Sequence, residues 1–141
     1  MVSPIRAGNC QNCSPSKPVF ILHQNRNWQI VIPQNPEVSL GWLILEPKAH
    51  YIQLTELGQT ELLELGIFLE QGDLVLQKYL APDFIRKLCF ENKGSFHLTW
   101  HFVPSFKTSK PTVTQALLPP DTKELKKRNI FYQKLKKDYQ L

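Results

Sequence analysis

The chain lacks any apolar run longer than a strand. A membrane-spanning helix needs roughly 20 predominantly apolar residues, and no stretch approaches that. The opening segment MVSPIRAGNCQNCSPSKP has no apolar core of the kind a secretory signal carries. The expectation is a cytoplasmic protein with no membrane contact. Cysteine is scarce as well: three in 141 residues, an odd number, with Cys10 and Cys13 three positions apart. That argues against a disulfide framework and suits a metal site or a redox pair. No internal repeat is evident.

Acidic residues are fewer than basic ones, 12 against 17, for a net charge of +5. The imbalance sits in one place. From Asp121 to Leu141 there are seven basic residues (Lys123, Lys126, Lys127, Arg128, Lys134, Lys136, Lys137) and three acidic ones (Asp121, Glu124, Asp138). The rest of the chain is nearly neutral. Such a tail can attract a nucleic acid backbone or an acidic protein. No aromatic-interleaved binding motif accompanies it, and a charge run of this kind is ordinarily a solvated face. Hydrophobic residues make up 42% and charged residues 21%, as in a globular protein large enough for a true core.

Three short runs, Val19–Leu22, Trp28–Ile32 and Leu40–Glu46, are separated by Asn-, Gln- and Pro-rich turns and read as strands. In the following segment Leu62, Leu65, Leu69, Leu76 and Tyr79 recur at helical spacing, and Pro82 closes it. Gly66 and Gly72 each cost a helix about 1 kcal/mol against Ala, and are expected to mark close helix–sheet contact. IRKLCFE and FHLTWHFVP return to strand character, with Cys89 reading as a small buried thiol. Residues 107–120 form a Pro- and Thr-rich loop. Residues 121–141 read as a basic helix, opened by a capping pair of Asp121 and Glu124 and striped by Leu125, Tyr132, Leu135 and Tyr139. The order predicts an α+β fold: an antiparallel sheet of about five strands, a long helix and a C-terminal helix, the helices on one side. Residues 1–106 make the main domain, with the Cys-x-x-Cys arm at its start.

In the stretch SFHLTWHFVP, strand alternation places His97, Thr99 and His101 on one face and Leu98, Trp100 and Phe102 on the other. A lone strand histidine is most often a hydrogen-bonded polar residue. Here the neighbouring motifs change the reading. HLTWHFVPSF resembles the signature of the histidine-triad (HIT) superfamily, three histidines alternating with apolar residues. GWLILEPKAHYIQLTEL is similar to the superfamily's strand running into Pro-Lys-x-His and a Leu-Thr helix start. CQNC matches the N-terminal Cys-x-x-Cys of its zinc-containing members. The three stand in the right order over roughly residues 8 to 106.

The resemblance implies the α+β sheet-and-helix fold already read, a nucleotide ligand and a homodimer formed through the long helix and an edge strand. It implies a zinc held by Cys10, Cys13, His50 and His97. The middle triad histidine of the family attacks the α-phosphate of a nucleotide; that position is Thr99 here. Ser105 stands where Arg often follows the Pro, and the loop NKGS lacks the Gly-Gln-Ser/Thr run of some branches. A neutral imidazole attacks unaided, whereas a threonine hydroxyl needs a neighbouring base. His101 is by resemblance the phosphate contact. Trp28, Ile30 and Ile32 read equally as core or as the wall of a base pocket. His23 falls in a polar turn and gets no role. The expected function is a zinc-stabilised nucleotide-binding protein that has lost nucleotidyl-histidine chemistry. The alternatives are a residual hydrolase of a dinucleoside polyphosphate or nucleoside phosphoramidate, and a nucleic-acid or protein adaptor working through the basic helix.

Overall fold

The computed structural model describes residues 10, 12–13, 20–33, 40–91, 97–106 and 122–139. Five strands, β1 (Phe20–Gln24), β2 (Trp28–Ile32), β3 (Leu43–Pro47), β4 (Phe84–Phe90) and β5 (Thr99–Ser105), form one sheet in the order β1-β2-β3-β5-β4. Every pairing is antiparallel. Among the described residues, two α-helices, α1 (Gln59–Leu80) and α2 (Thr122–Tyr139), complete the α+β architecture. The β1–β2 hairpin turns on Asn25, whose Oδ1 accepts the N–H groups of Asn27 and Trp28, each at 2.8 Å.

Alternation along the strands sorts the sheet into two faces. Trp28, Ile30, Ile32, Leu43, Leu45, Trp100 and Phe102 face the helices. They pack with Phe68, Val75 and Leu76 of α1 and with Phe131, Tyr132 and Leu135 of α2 in one core. The opposite face carries a smaller apolar cluster, Trp42 and Val103 with Ile44 and Leu88 against them. The basic C-terminal helix therefore shares the main core. Tyr132 donates its hydroxyl to the Trp42 carbonyl at 2.9 Å. Part of its charge is spent locally: Lys134 lies over the Tyr79 ring and Lys136 over the Phe20 ring.

Several boundaries move. Gly41 has φ of +79°, so the third strand begins at Leu43 rather than Leu40. β5 begins at Thr99: the Leu98 N–H leaves the ladder and donates to the Tyr51 carbonyl at 2.7 Å. His23 sits in β1, its ring 5.1 Å from that of Phe68, and not in a turn. Leu62 is exposed, and Phe68 and Val75 take the core positions on α1. Tyr139 is also exposed, and Phe131 fills the tail-helix core position in its place. Cys89 is exposed because β4 is an edge strand. Val19, residues 92–95, the 107–120 loop, Asp121 and the side chains of Glu124 and Leu125 lie outside the described residues.

α1 starts where Glu61 takes the Gly58 N–H at 3.1 Å. It stops at Ala81, in the left-handed region with φ of 44°, immediately before Pro82. The two helix glycines behave oppositely. A Cβ on Gly72 would lie 2.4 Å from the Phe102 ring, so the helix touches the sheet there as expected. A Cβ on Gly66 would meet nothing within 4 Å, so that glycine makes no sheet contact. Gly66→Ala is expected to stabilise the protein by about 0.5–1 kcal/mol, the helix-propensity gain. Gly72→Ala is expected to destabilise it by at least about 1 kcal/mol, because overpacking against a fixed ring exceeds that gain. Chemical denaturation of both variants checks the opposite signs.

Candidate functional site

Two groups of side chains meet near the start of β5. The first is Cys10, Cys13, His50 and His97, whose donor atoms all lie within 4.8 Å of one another. Cys10 comes from the N-terminal arm, and Cys13 from the turn it opens. His50 follows β3 after the Pro47-Lys48-Ala49 bend. His97 lies two residues before β5, so residues from three distant stretches converge. Cys10 Sγ is 3.5 Å from His97 Nδ1; Cys13 Sγ is 3.4 Å from the same nitrogen and 3.3 Å from His50 Nδ1.

These distances suit a tetrahedral metal. With metal–sulfur bonds of about 2.3 Å and metal–nitrogen bonds of about 2.0–2.1 Å, sulfur and nitrogen ligands stand about 3.5 Å apart. The imidazole orientation fits as well. His97 Nε2 is 2.6 Å from the Pro47 carbonyl, an acceptor, so Nε2 carries the proton and Nδ1 turns its lone pair toward both sulfurs. Burial lowers the His97 pKa, which favours the neutral ring a metal requires. Cys10 and His97 are buried, and Cys13 and His50 half-buried. Burial, reinforced by Cys10, pushes the Cys13 thiol up to about 12, so Cys13 retains its proton when no metal is bound. The structure thus brings together all four residues the resemblance implied.

The second group lies on the sheet face away from the helices. Trp42 Nε1 is 2.8 Å from His101 Nδ1, and His101 Nε2 is 3.2 Å from Thr99 Oγ1. An indole N–H can only donate, so Nδ1 is the acceptor and the proton sits on Nε2. His101 therefore donates to Thr99. A general base would have to accept the threonine proton, and this ring presents no lone pair to it. Thr99 is 6% exposed. Phe90, directly opposite Thr99 in the ladder, stacks edgewise on His101 with ring centroids 4.8 Å apart. The sequence motif alone gave no sign of Trp42 as a partner; only the β3–β5 pairing places it there.

Burial depresses the His101 pKa to about 4, and the Trp42 donor points the same way. The unfolded chain, with an ordinary histidine near 6.5, binds the proton first on acidification. This group's contribution to stability is therefore complete above about pH 6.5 and is lost as pH falls through about 4. Trp42→Phe is expected to raise the His101 pKa toward the ordinary value. An NMR titration of the His101 ring, with stability followed over the same range, checks both statements.

The remaining expected site residues lie elsewhere. Trp28, Ile30 and Ile32 are 0–2% exposed, in the core beneath α1, which supports the packing reading of these three. Ser105 is buried and accepts from Arg86 Nη1 at 2.8 Å, so a guanidinium from β4 reaches the position after the Pro.

The architecture is that of the histidine-triad fold. A hypothetical histidine-triad nucleotide-binding protein from Sulfolobus tokodaii superposes at a TM-score of 0.57, with 18% identity over 86% of each chain. A Zn-bound histidine-triad family protein from Mycobacterium smegmatis gives 0.61, with 15% identity over 86% of each chain. A hypothetical protein from Leishmania major gives 0.63, with 18% identity over 94% of this chain and 99% of that one. No family model and no curated protein matches the sequence. The chain is thus a histidine-triad-fold protein with a Cys2His2 donor cluster and threonine at the centre of its histidine strand.

Proposed function

We propose that this protein is a zinc-stabilised histidine-triad-fold protein that binds a nucleoside phosphate without chemistry on it. The observation that carries the reading is the polarity of the Trp42–His101–Thr99 chain. It ends in one neutral donor, the Thr99 hydroxyl, and holds no free base. A donor of that kind suits a phosphate oxygen; it cannot generate a nucleophile. Zinc, held by Cys10, Cys13, His50 and His97, would be structural, since four protein donors leave no open position for substrate. Calorimetric titration with AMP is expected to show binding that Thr99→Val weakens. Intact-mass spectrometry after incubation with adenosine phosphoramidate is expected to show no added nucleotidyl group. Absent binding, or a stable adduct, would each refute the proposal.

The same reading includes a homodimer. Leu63 and Ile67 are 72% and 59% exposed on the outer side of α1, with Leu74 further along. β4 is an edge strand with exposed Phe84 and Phe90. An apolar helix face beside an open strand edge suits a second copy. Light scattering at micromolar concentration is expected to give a dimer mass, and Ile67→Glu a monomer.

A further inference from the structure

Glu46 is an acid in the interior. It occupies the penultimate position of β3, between Leu45 and Pro47, and is 3% exposed. A buried carboxylate is costly unless it is hydrogen-bonded. Its described partners are two neutral amides: Gln29 Nε2 donates to Oε1 at 2.8 Å, and the Asn12 side-chain amide donates to Oε2. Gln29 stands directly opposite Glu46 in the β2–β3 ladder, so the sheet itself orients the carboxylate. Asn12 lies inside the Cys10–Cys13 turn. The next residue of β3, Pro47, supplies the carbonyl that accepts the His97 Nε2–H. Two consecutive residues at one strand end thus hold the sulfur half and part of the imidazole half of the ligand cluster.

We infer that Glu46 is a positioning residue for the metal centre, acting through Asn12 to seat the cysteine turn against the histidines. The inference rests on the metal reading above. Ordering a turn near the chain's start costs conformational entropy. A carboxylate already aimed by Gln29 accepts a strong, charge-assisted hydrogen bond from that turn and fixes where its sulfurs point. Glu46 itself stands outside the four-donor cluster.

The test is zinc affinity of the full chain, measured by competition with a chromophoric chelator. Asn12→Ala and Glu46→Gln are each expected to weaken zinc binding by roughly 10-fold, the lower end of the cost of losing a direct outer partner of a metal ligand, since this contact acts one step further out. The double variant is expected to be no weaker than the weaker single one, because both substitutions remove the same contact. Cobalt-substituted protein is expected to keep the wild-type absorption of a tetrahedral two-sulfur, two-nitrogen site in all variants. Wild-type affinity in Asn12→Ala overturns the inference, and that variant, altered on the arm alone, decides the matter even if Glu46→Gln fails to fold. Additive losses overturn it too, since they would make Glu46 an independent support of the sheet. Altered cobalt bands in Glu46→Gln overturn it by making the carboxylate a ligand. Wild-type protein that takes up neither zinc nor cobalt refutes the metal reading itself. Metal-loaded wild type with an unaffected Asn12→Ala refutes only the role of Glu46.

Discussion

Chelation of the proposed zinc, or Cys13→Ser, is expected to lower the thermal midpoint by at least about 10 °C. Structural zinc binding is coupled to folding, with apparent free energies of about 10–16 kcal/mol in small zinc domains. This protein has a core of its own, so only part of that figure is at stake. A loss of about 4 kcal/mol is enough, since a domain of this size shifts by roughly 3–4 °C per kcal/mol. The size of the effect follows from what the four donors connect. Cys10 and Cys13 belong to the arm, His50 to the segment between β3 and α1, and His97 to the entry of β5. Without the metal, Cys13 holds its proton and two sulfurs crowd one imidazole nitrogen. Differential scanning calorimetry with and without a strong chelator, together with elemental analysis showing about one zinc per chain, measures the outcome. Metal-free protein of unchanged midpoint would contradict it.

Thr99→His is expected to destabilise the fold and to restore no turnover. Threonine at this position is nearly buried, bonded to His101 and faced by Phe90 across the ladder. An imidazole is larger than the threonine side chain it would replace beside Phe90 and His101, and overpacking of this kind costs about 1–3 kcal/mol. The Trp42 indole would still hold His101 in the tautomer that donates toward position 99. A new histidine there would have to displace that contact before reaching a phosphate. Stopped assays with diadenosine tetraphosphate or adenosine phosphoramidate are expected to show no rate near the ordinary enzyme range of about 1–10³ s⁻¹ for wild type or variant. Restored turnover in a fully folded Thr99→His would show that the site retains working room beside residue 99.

The helix-side core was legible because its signals are local. Trp28, Ile30 and Ile32 alternate and are buried, as are Leu98 just before β5 and Trp100 and Phe102 on it. The bounds of β2 agree from end to end, and Pro82 stands two residues past the end of α1. The candidate metal ligands were legible for another reason. Cys-x-x-Cys, Pro-Lys-Ala-His and the histidine strand are short motifs whose order carries information even when overall identity is low. What periodicity could not reveal was the outer limit of each element. Leu62 has the spacing of a core residue yet points outward, because the helix face is chosen by what packs against it, here Phe102 on Gly72.

By itself, the sequence determined the α+β architecture, the helix-side core and the candidate ligands, since alternation, helical spacing and motif order are properties of residues close along the chain. Only the tertiary structure decided the state of the histidine strand. Trp42 and His101 are 59 residues apart, and the indole proton reaches the imidazole only because β3 pairs with β5. The same holds for Asn12 and Glu46, 34 residues apart. Which nitrogen carries a proton, and which carboxylate steadies a turn, depends on donors and acceptors brought together from distant strands, and no local pattern encodes that pairing.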